Sequence, residues 1–405
     1  MATVKFYQGA YVLNQMYSQM TGSSTLAVID TSSFISVATT VKKMGNDAIM
    51  NALSDVLTRT KWSVRRYGSK FAVIMKDAEA YGNHIRKINA IDRPVIDNAE
   101  YTNEADQGLN PALTDMWEKR DPIVVQTNFY DSETYSDCLT VYEHQINTAL
   151  EGPAQWQSFL GFIMETLANK HEQFVEDRRR LAVLNLITGT TVTHGNDVYY
   201  LITEYNNATG SSLTVSDWNT PANFPDFARW LFGFIGTLSE KFTERGYLHH
   251  FNPQDGGGNT LWIARHTPKA NQKAIFIAGV MKQIQTRVKA TTYNADFLEE
   301  IDHELTTYWQ SSQAGSEMSV TLKPNYVDID GVEETNPSTV SLDNVFGLLF
   351  DEEAVGETEI NVNVKATPVN AKASYYNLWY HWTDRLWNDF TENCAVLLID
   401  ENPNP

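Results

Sequence analysis

The 405-residue sequence predicts an α+β protein. Three observations predict it: apolar residues at three- and four-residue steps from Pro153 to Ile187, short stretches of strand-like alternation on both sides of that run, and turn-forming clusters between them. Composition narrows what such a chain does. With 31 basic and 50 acidic side chains the formal charge is 31 − 50 = −19. A protein that grips nucleic acid places Lys and Arg against phosphates and releases counterions, and an acidic surplus of this size argues against that mechanism. Anionic membrane surfaces are disfavoured for the same reason. At 42% hydrophobic and 12% aromatic the chain is too apolar for disorder to be its main state. Its length accommodates two or three cores at roughly 150 residues per domain.

Cys138 and Cys394 are the only cysteines and form no CxxC pair, so neither a disulfide framework nor a zinc ribbon is indicated. Reduced thiols in a cytosolic folding environment fit best. The N-terminal MATVKFYQGAYVLNQMY lacks the apolar run of a signal peptide, and no window reaches the roughly 18 apolar residues of a membrane span. A soluble chain with no membrane partner is the expectation.

Residues 1–45 are rich in Ser, Thr and Gln, carry little helical periodicity and read as an extended arm. A short amphipathic helix is expected over Asp47–Leu57. Alternation at Trp62 and Val64, then Phe71, Val73 and Met75, suggests a two-stranded ribbon turned at Tyr67-Gly68-Ser69. Its cluster Lys61, Arg65, Arg66 and Lys70 is the most basic patch in the chain and reads either as a solvated strand face or as a contact with an acidic neighbouring subunit. Residues 81–122 form a long, polar, turn-rich stretch. IVVQTNFY (123–130) and CLTVYEHQI (138–146) read as strands.

Gly152-Pro153 opens the longest element, because Pro suits the first helical position, and Thr188-Gly189 is expected to close it. Pro153 to Ile187 would span about 52 Å at 1.5 Å per residue, far beyond an ordinary globular helix of about 11 to 12 residues. The triplet Arg178-Arg179-Arg180 near its far end reads as a solvated face that complements the helix dipole. A Trp- and Phe-rich helix is expected over Phe224–Arg245, a strand in TLWIARH (260–266) and a helix over Pro268–Lys289. SVTLKP and YVDID are read as strands with a turn at Asp330-Gly331. VFGLLFDEEAVG, INVNVKATP and NCAVLLID are also read as strands, and SYYNLWYHWTDRLWND as an aromatic segment between the last two.

No catalytic, cofactor-binding or metal-ligating residue emerges. His171-Glu172 lacks the second His of HExxH, since Val175 stands in its place, and reads as a surface pair. Adjacent His249-His250 face opposite ways and read as loop residues. Gly256-Gly257-Gly258 is followed by Asn259-Thr260 rather than GK[ST], and Asp328-x-Asp330-Gly331 lacks the oxygen ligands of a calcium loop. Acidic groups such as Glu299-Glu300 with Asp302, or Asp351-Glu352-Glu353, offer no reason to select a catalytic pair.

Three segments carry a resemblance. NVFGLLFDEEAVG (Asn344–Gly356), TPVNAKASYYNLWYHW (Thr367–Trp382) and DFTENCAVLLID (Asp389–Asp400) resemble, in that order, the C-terminal signature of major capsid proteins of tailed double-stranded DNA phages. Val124–Leu160 is similar to the same family's strand, strand and spine-helix transition, and LWIARHTPKANQKAIF with TTYWQS (Thr306–Ser311) to its strand-helix region. The resemblance implies a Hong Kong ninety-seven-like fold. It implies an N-terminal arm at 1–50, an extended loop with flanking strands at 51–122 and a peripheral domain at 123–229 with spine helix 153–187. An axial domain at 230–345 and return strands at 346–405 complete the layout. It further implies a non-enzymatic shell subunit, joined to itself as hexamers and pentamers and accompanied by scaffolding and portal proteins. Such a shell encloses DNA without sequence-specific binding, within a virion capsid assembled in the host cytoplasm. The stretch ahead of the arm is short for an internal scaffold, so a separate one is expected. The rival readings are a carboxylate-based hydrolase whose aromatics stack sugars, and another shell or tail subunit.

Overall fold

The computed structural model describes residues 5–59, 70–76, 84–91, 121–130, 132–291, 303–310 and 317–403. The chain divides into two compact units: Met1–Gly82 with Asp131–Ala182 and Gly356–Trp387, and Asn83–Tyr130 with Val183–Val355 and Asn388–Pro405.

The first unit opens with three helices, α1 (Phe6–Thr21), α2 (Thr31–Lys43) and α3 (Asn46–Arg59). The third was expected; the first two lie where extended chain was. Their period is visible once the polar residues between are discounted: Leu13, Met16 and Tyr17 of α1 and Phe34, Val37 and Val41 of α2 are all buried. Asp30 caps α2, its carboxylate accepting the Ser33 N–H at 2.8 Å and the Ser33 hydroxyl at 2.7 Å. These hydrogen bonds lower its pKa to about 2. The helices share one core with the start of the long helix, where Trp156, Leu160 and Ile163 are fully buried. Each such aliphatic side chain contributes roughly 1.5–3 kcal/mol. The Trp156 indole N–H also donates to the Gly9 carbonyl at 3.1 Å.

In the second unit β1 (His84–Ile91) pairs antiparallel with β2 (Ile123–Tyr130), from His84 opposite Tyr130 to Ile91 opposite Ile123. Back in the first, β3 (Glu133–Tyr142) gives way to helix α4 (Glu143–Ala149), which replaces the expected strand beyond residue 142. The three-stranded sheet there has the order β10-β11-β3, with β10 at Val355–Ala366 and β11 at Tyr375–Asn388. The segment read only as aromatic is therefore a 14-residue strand. The expected strand through Phe71 to Met75 is instead a single 3₁₀ turn, Ala72–Ile74, entered through a left-handed Phe71 at φ 62° whose ring is buried.

The long helix, α5 (Pro153–Thr193), has 41 residues and runs past the expected stop at Thr188-Gly189. Its residues 153–182 belong to the first unit and 183–193 to the second. Gly189 is there for packing rather than termination: a Cβ on it would lie 2.3 Å from the Phe390 ring. Thr188, Thr191 and Thr193 keep their hydroxyls on the carbonyls one turn back, which lets them sit inside a helix.

The second unit is built on a five-stranded sheet of order β4-β12-β9-β5-β6. Its members are β4 (Val198–Tyr200), β5 (Gln272–Ile277), β6 (His303–Thr306), β9 (Val345–Asp351) and β12 (Cys394–Leu398). Every residue of β9 and β12 is buried, as expected of strands covered on both faces. Helices α6 (Leu201–Thr209), α7 (Phe224–Thr243) and α8 (Ala278–Thr291) accompany it, and Phe227, Leu231 and Phe242 of α7 lie in its core. The expected helix Pro268–Lys289 is thus half right: Gln272–Ile277 lies in the sheet between β9 and β6, and the helix starts at Ala278. TLWIARH forms only isolated bridges, Gln254 to Thr260 and Gly246 to Arg265. A small pair, β7 (Val320–Leu322) and β8 (Val340–Leu342), completes the unit; YVDID contributes one bridge, Val327 to Glu333. Among the described residues no helix is long and apolar enough to cross a membrane.

Candidate functional site

Of the four basic interface candidates, Lys61, Arg65 and Arg66 lie outside the described residues. Lys70 is described: its side chain is exposed and its backbone N–H donates to Glu176 Oε2 at 3.0 Å. Glu176 in turn accepts from Arg180 at 2.7 Å, and the Arg180 guanidinium lies 4.8 Å from the centre of the Phe71 ring. One end of the basic segment is therefore tied to the long helix.

Those contacts correct the reading of Arg178-Arg179-Arg180 as a solvated face. Arg179 and Arg180 are each 6% exposed. Arg179 Nε lies 2.9 Å from Glu357 on β10, and Arg178 reaches Asp384 on β11 at 3.2 Å and Glu133 on β3 at 3.1 Å. The helix thereby pairs with every strand of the sheet beside it. Burial pushes the Glu357 carboxyl above its ordinary range, and Arg179 only partly offsets this. Asp384 is raised for the same reason, with Arg178 opposing. His171 is no surface residue either: it lies 3.0 Å from Glu359 and edge-on to the rings of Tyr380 and Trp382.

A second cluster lies in the other unit. Lys87 of β1 pairs with Glu353 at 3.0 Å, Asp389 at 2.9 Å and Glu392, which also accepts from Arg265 at 3.1 Å. Burial alone would lower the Lys87 pKa, but Asp389 and Glu392 outweigh it and hold the ammonium above its usual range. Glu392 moves the opposite way from what pairing suggests: burial, with Asp389 beside it, raises it to about 7 against the pull of Lys87 and Arg265. Three carboxylates meet two cations here, so one carboxyl is easiest to protonate. No local motif marks this group, since Lys87 and Glu392 are 305 positions apart.

The adjacent histidines are anchors rather than loop residues. His249 Nδ1 is 2.7 Å from buried Asp197, and the His250 ring lies between the carbonyls of Leu248 at 2.8 Å and Ile263 at 2.6 Å. Burial lowers the His250 pKa. Asp351 is a turn cap, accepting from the Thr267 hydroxyl at 2.7 Å and the Glu353 N–H at 2.8 Å. Glu299, Glu300 and Asp302 lie outside the described residues. Among the described residues no group of three or more His, Cys, Asp or Glu could hold a metal ion. Both clusters are made of ion pairs that join elements to one another.

No protein-family model matches the sequence, and no curated protein matches it. Solved structures do match. The capsid structure of Staphylococcus phage Andhra superposes with a TM-score of 0.54 at 8% identity, covering 83% of this chain and 85% of that one. The structure of head fiber and inner core protein gp22 of native bacteriophage P68 gives 0.52 at 9% identity, covering 84% and 88%. At this identity the likeness concerns fold alone: the chain has an α+β fold shared with solved phage capsid structures. The fold implied by the three C-terminal segments is the fold found.

Proposed function

We propose that this chain is the structural subunit of a phage head, self-assembling into hexamers and pentamers of an icosahedral shell that encloses double-stranded DNA. The observation that supports this reading is the capsid-like fold over more than four-fifths of the chain. The chemistry agrees with it. A shell wall carrying a −19 subunit surrounds DNA without gripping it, and the buried ion pairs described above join elements rather than face a cleft. In this reading the protein is not an enzyme, its partners are copies of itself with scaffolding and portal proteins, and it is assembled in the host cytoplasm and resides in the virion. The division into arm, extended loop, peripheral and axial domains belongs to the same proposal.

Negative-stain electron microscopy of the purified protein tests it. Icosahedral particles or hexameric capsomers are expected. Tubes would favour a tail subunit, and small monodisperse globules would return the hydrolase reading to consideration.

A further inference from the structure

We propose that a groove on the second unit, between the start of α7 and the outward side of α8, is an anion site that takes the phosphates of a nucleotide. The site is independent of the shell-subunit reading, and either can fail without the other.

The sequence around α8 is unlike the rest of the chain. From Gly256 to Ala295 there are six Lys or Arg and no Asp or Glu, in a protein with 50 acidic residues. Two of the six are committed inside the unit, Arg265 to Glu392 at 3.1 Å and Lys269 to Glu240 at 2.6 Å. Lys282 and Arg287 are exposed on α8. They stand five positions apart, about 7.5 Å along the helix axis and about 140° around it, so they flank the residues between them.

The fold turns that pair into one side of a cavity. Lys282, Gln283, Thr286 and Arg287 line a groove of about 390 Å³, and the turn ahead of α7 closes its other side with Asn219, Pro221 and Phe224. That volume suits a small organic molecule rather than a lone ion. The second side is fixed before any ligand arrives. Phe224 is buried with its ring 6.0 Å from that of Trp218, and the Asn223 amide donates to the Asp217 carbonyl at 3.1 Å. Little ordering therefore remains to be done on binding.

The lining names the ligand class. It contains no carboxylate. The two acids nearest to it in sequence are held elsewhere: Asp217 accepts the Thr214 N–H at 2.7 Å and the Thr214 hydroxyl at 2.9 Å, and Asp226 pairs with Arg229 at 3.1 Å. Among the described residues the Lys282 ammonium and the side-chain amides of Asn219 and Gln283 have no protein partner. Thr286 adds no donor, since its hydroxyl donates to the Lys282 carbonyl at 2.7 Å. An ammonium, a guanidinium and two amides on one groove call for an anion rich in oxygens. A single carboxylate satisfies one of the cations, whereas a phosphate chain has acceptors for both, and a guanidinium matches phosphate bidentately. Pro221 and Phe224 offer the apolar surface on which a base lies. The −19 charge does not oppose this, because exposed charges more than about 10 Å away are largely screened at 0.1 M salt.

Isothermal titration calorimetry of the full chain with dATP, without magnesium, tests the site, with inorganic phosphate and a short thymidine oligonucleotide as separate titrants. One dATP per chain is expected. Lys282→Glu with Arg287→Glu should weaken it about tenfold or more, and the neutral change Lys282→Gln should act in the same direction. Lys241→Glu with Lys269→Glu, an equal charge change outside the groove, should leave the affinity within about twofold. An oligonucleotide that binds more tightly than dATP identifies a strand as the source of the phosphates, and one that binds less tightly identifies a free nucleotide; both orders support the site. No binding of either overturns it. So does an equal loss in the two charge-reversed variants, which would report overall charge, and so does inorganic phosphate binding as tightly as dATP, which would leave an unspecific anion contact.

Discussion

Phe390 places its ring where a Cβ on Gly189 would stand, with ring atoms 2.3 and 2.4 Å from that position. The glycine sits inside α5, where it costs about 1 kcal/mol in helix propensity relative to Ala. A Gly189→Ala change therefore gains that amount locally and loses more through overpacking, typically 1–3 kcal/mol, because the Phe390 ring is itself buried and has little room to retreat. The expected outcome is a lower Tm by calorimetry or circular dichroism. A raised Tm would mean that the ring moves freely and that the close approach does not explain the glycine.

How far such relationships were legible depends on whether the signal was local. The 3.6-residue period identified α3, most of α5 and α7, and the unbroken apolar runs of β9 and β12 read correctly as strands. Gln272–Ile277 was misread because six residues of mixed apolar character serve a buried strand or a helix equally well; pairing with β9 and β6 decided it. Gly189 reads as a stop because its reason, Phe390, lies 390 − 189 = 201 positions away. The arginine triplet was placed in solvent because charge runs usually are, and only the strands bearing Glu357 and Asp384 reveal otherwise. The Lys87 cluster had no sequence signal at all. By contrast the family resemblance rests on the order of whole segments, and the α+β fold it implies is matched by solved phage capsid structures at 8–9% identity.

Arg179 and Glu357 form a pair in which neither side chain has access to much water. Removing one partner leaves a buried charge, and Arg179→Met is expected to destabilise the chain by about 3–5 kcal/mol. Adding Glu357→Leu removes the orphaned carboxylate and should recover most of the loss. Equilibrium denaturation of the two single variants and the double one measures this directly. A double variant no more stable than Arg179→Met would show that the arginine acts through its packing alone.

Glu392 predicts a pH dependence with a definite sign. Its carboxyl is raised from 4.5 to about 7 on folding, chiefly by burial. Between those values the folded chain holds a proton that the unfolded chain has released. The group's contribution is complete below pH 4.5 and is lost as pH rises through 7. Glu392→Gln keeps an oxygen toward Lys87 and Arg265 but does not titrate, so the difference in Tm between it and the native chain should shift in favour of the variant as pH rises across that window. The change is on the order of 3 kcal/mol. A difference that is flat with pH would place the titrating proton elsewhere in the cluster.

Assembly of a −19 subunit sets two electrostatic effects against each other. Like-charged subunits repel out to about the Debye length, about 30 Å at 0.01 M salt and about 10 Å at 0.1 M. Opposite charges that meet between subunits attract strongly only at contact. Approach is governed by the long-range part, so raising salt from very low to moderate levels should quicken assembly followed by light scattering, with the contact charges affecting dissociation more than encounter. Slower assembly of the native chain on raising salt would mean that attraction between local patches already dominates the encounter, and the global charge would then have no part in its rate.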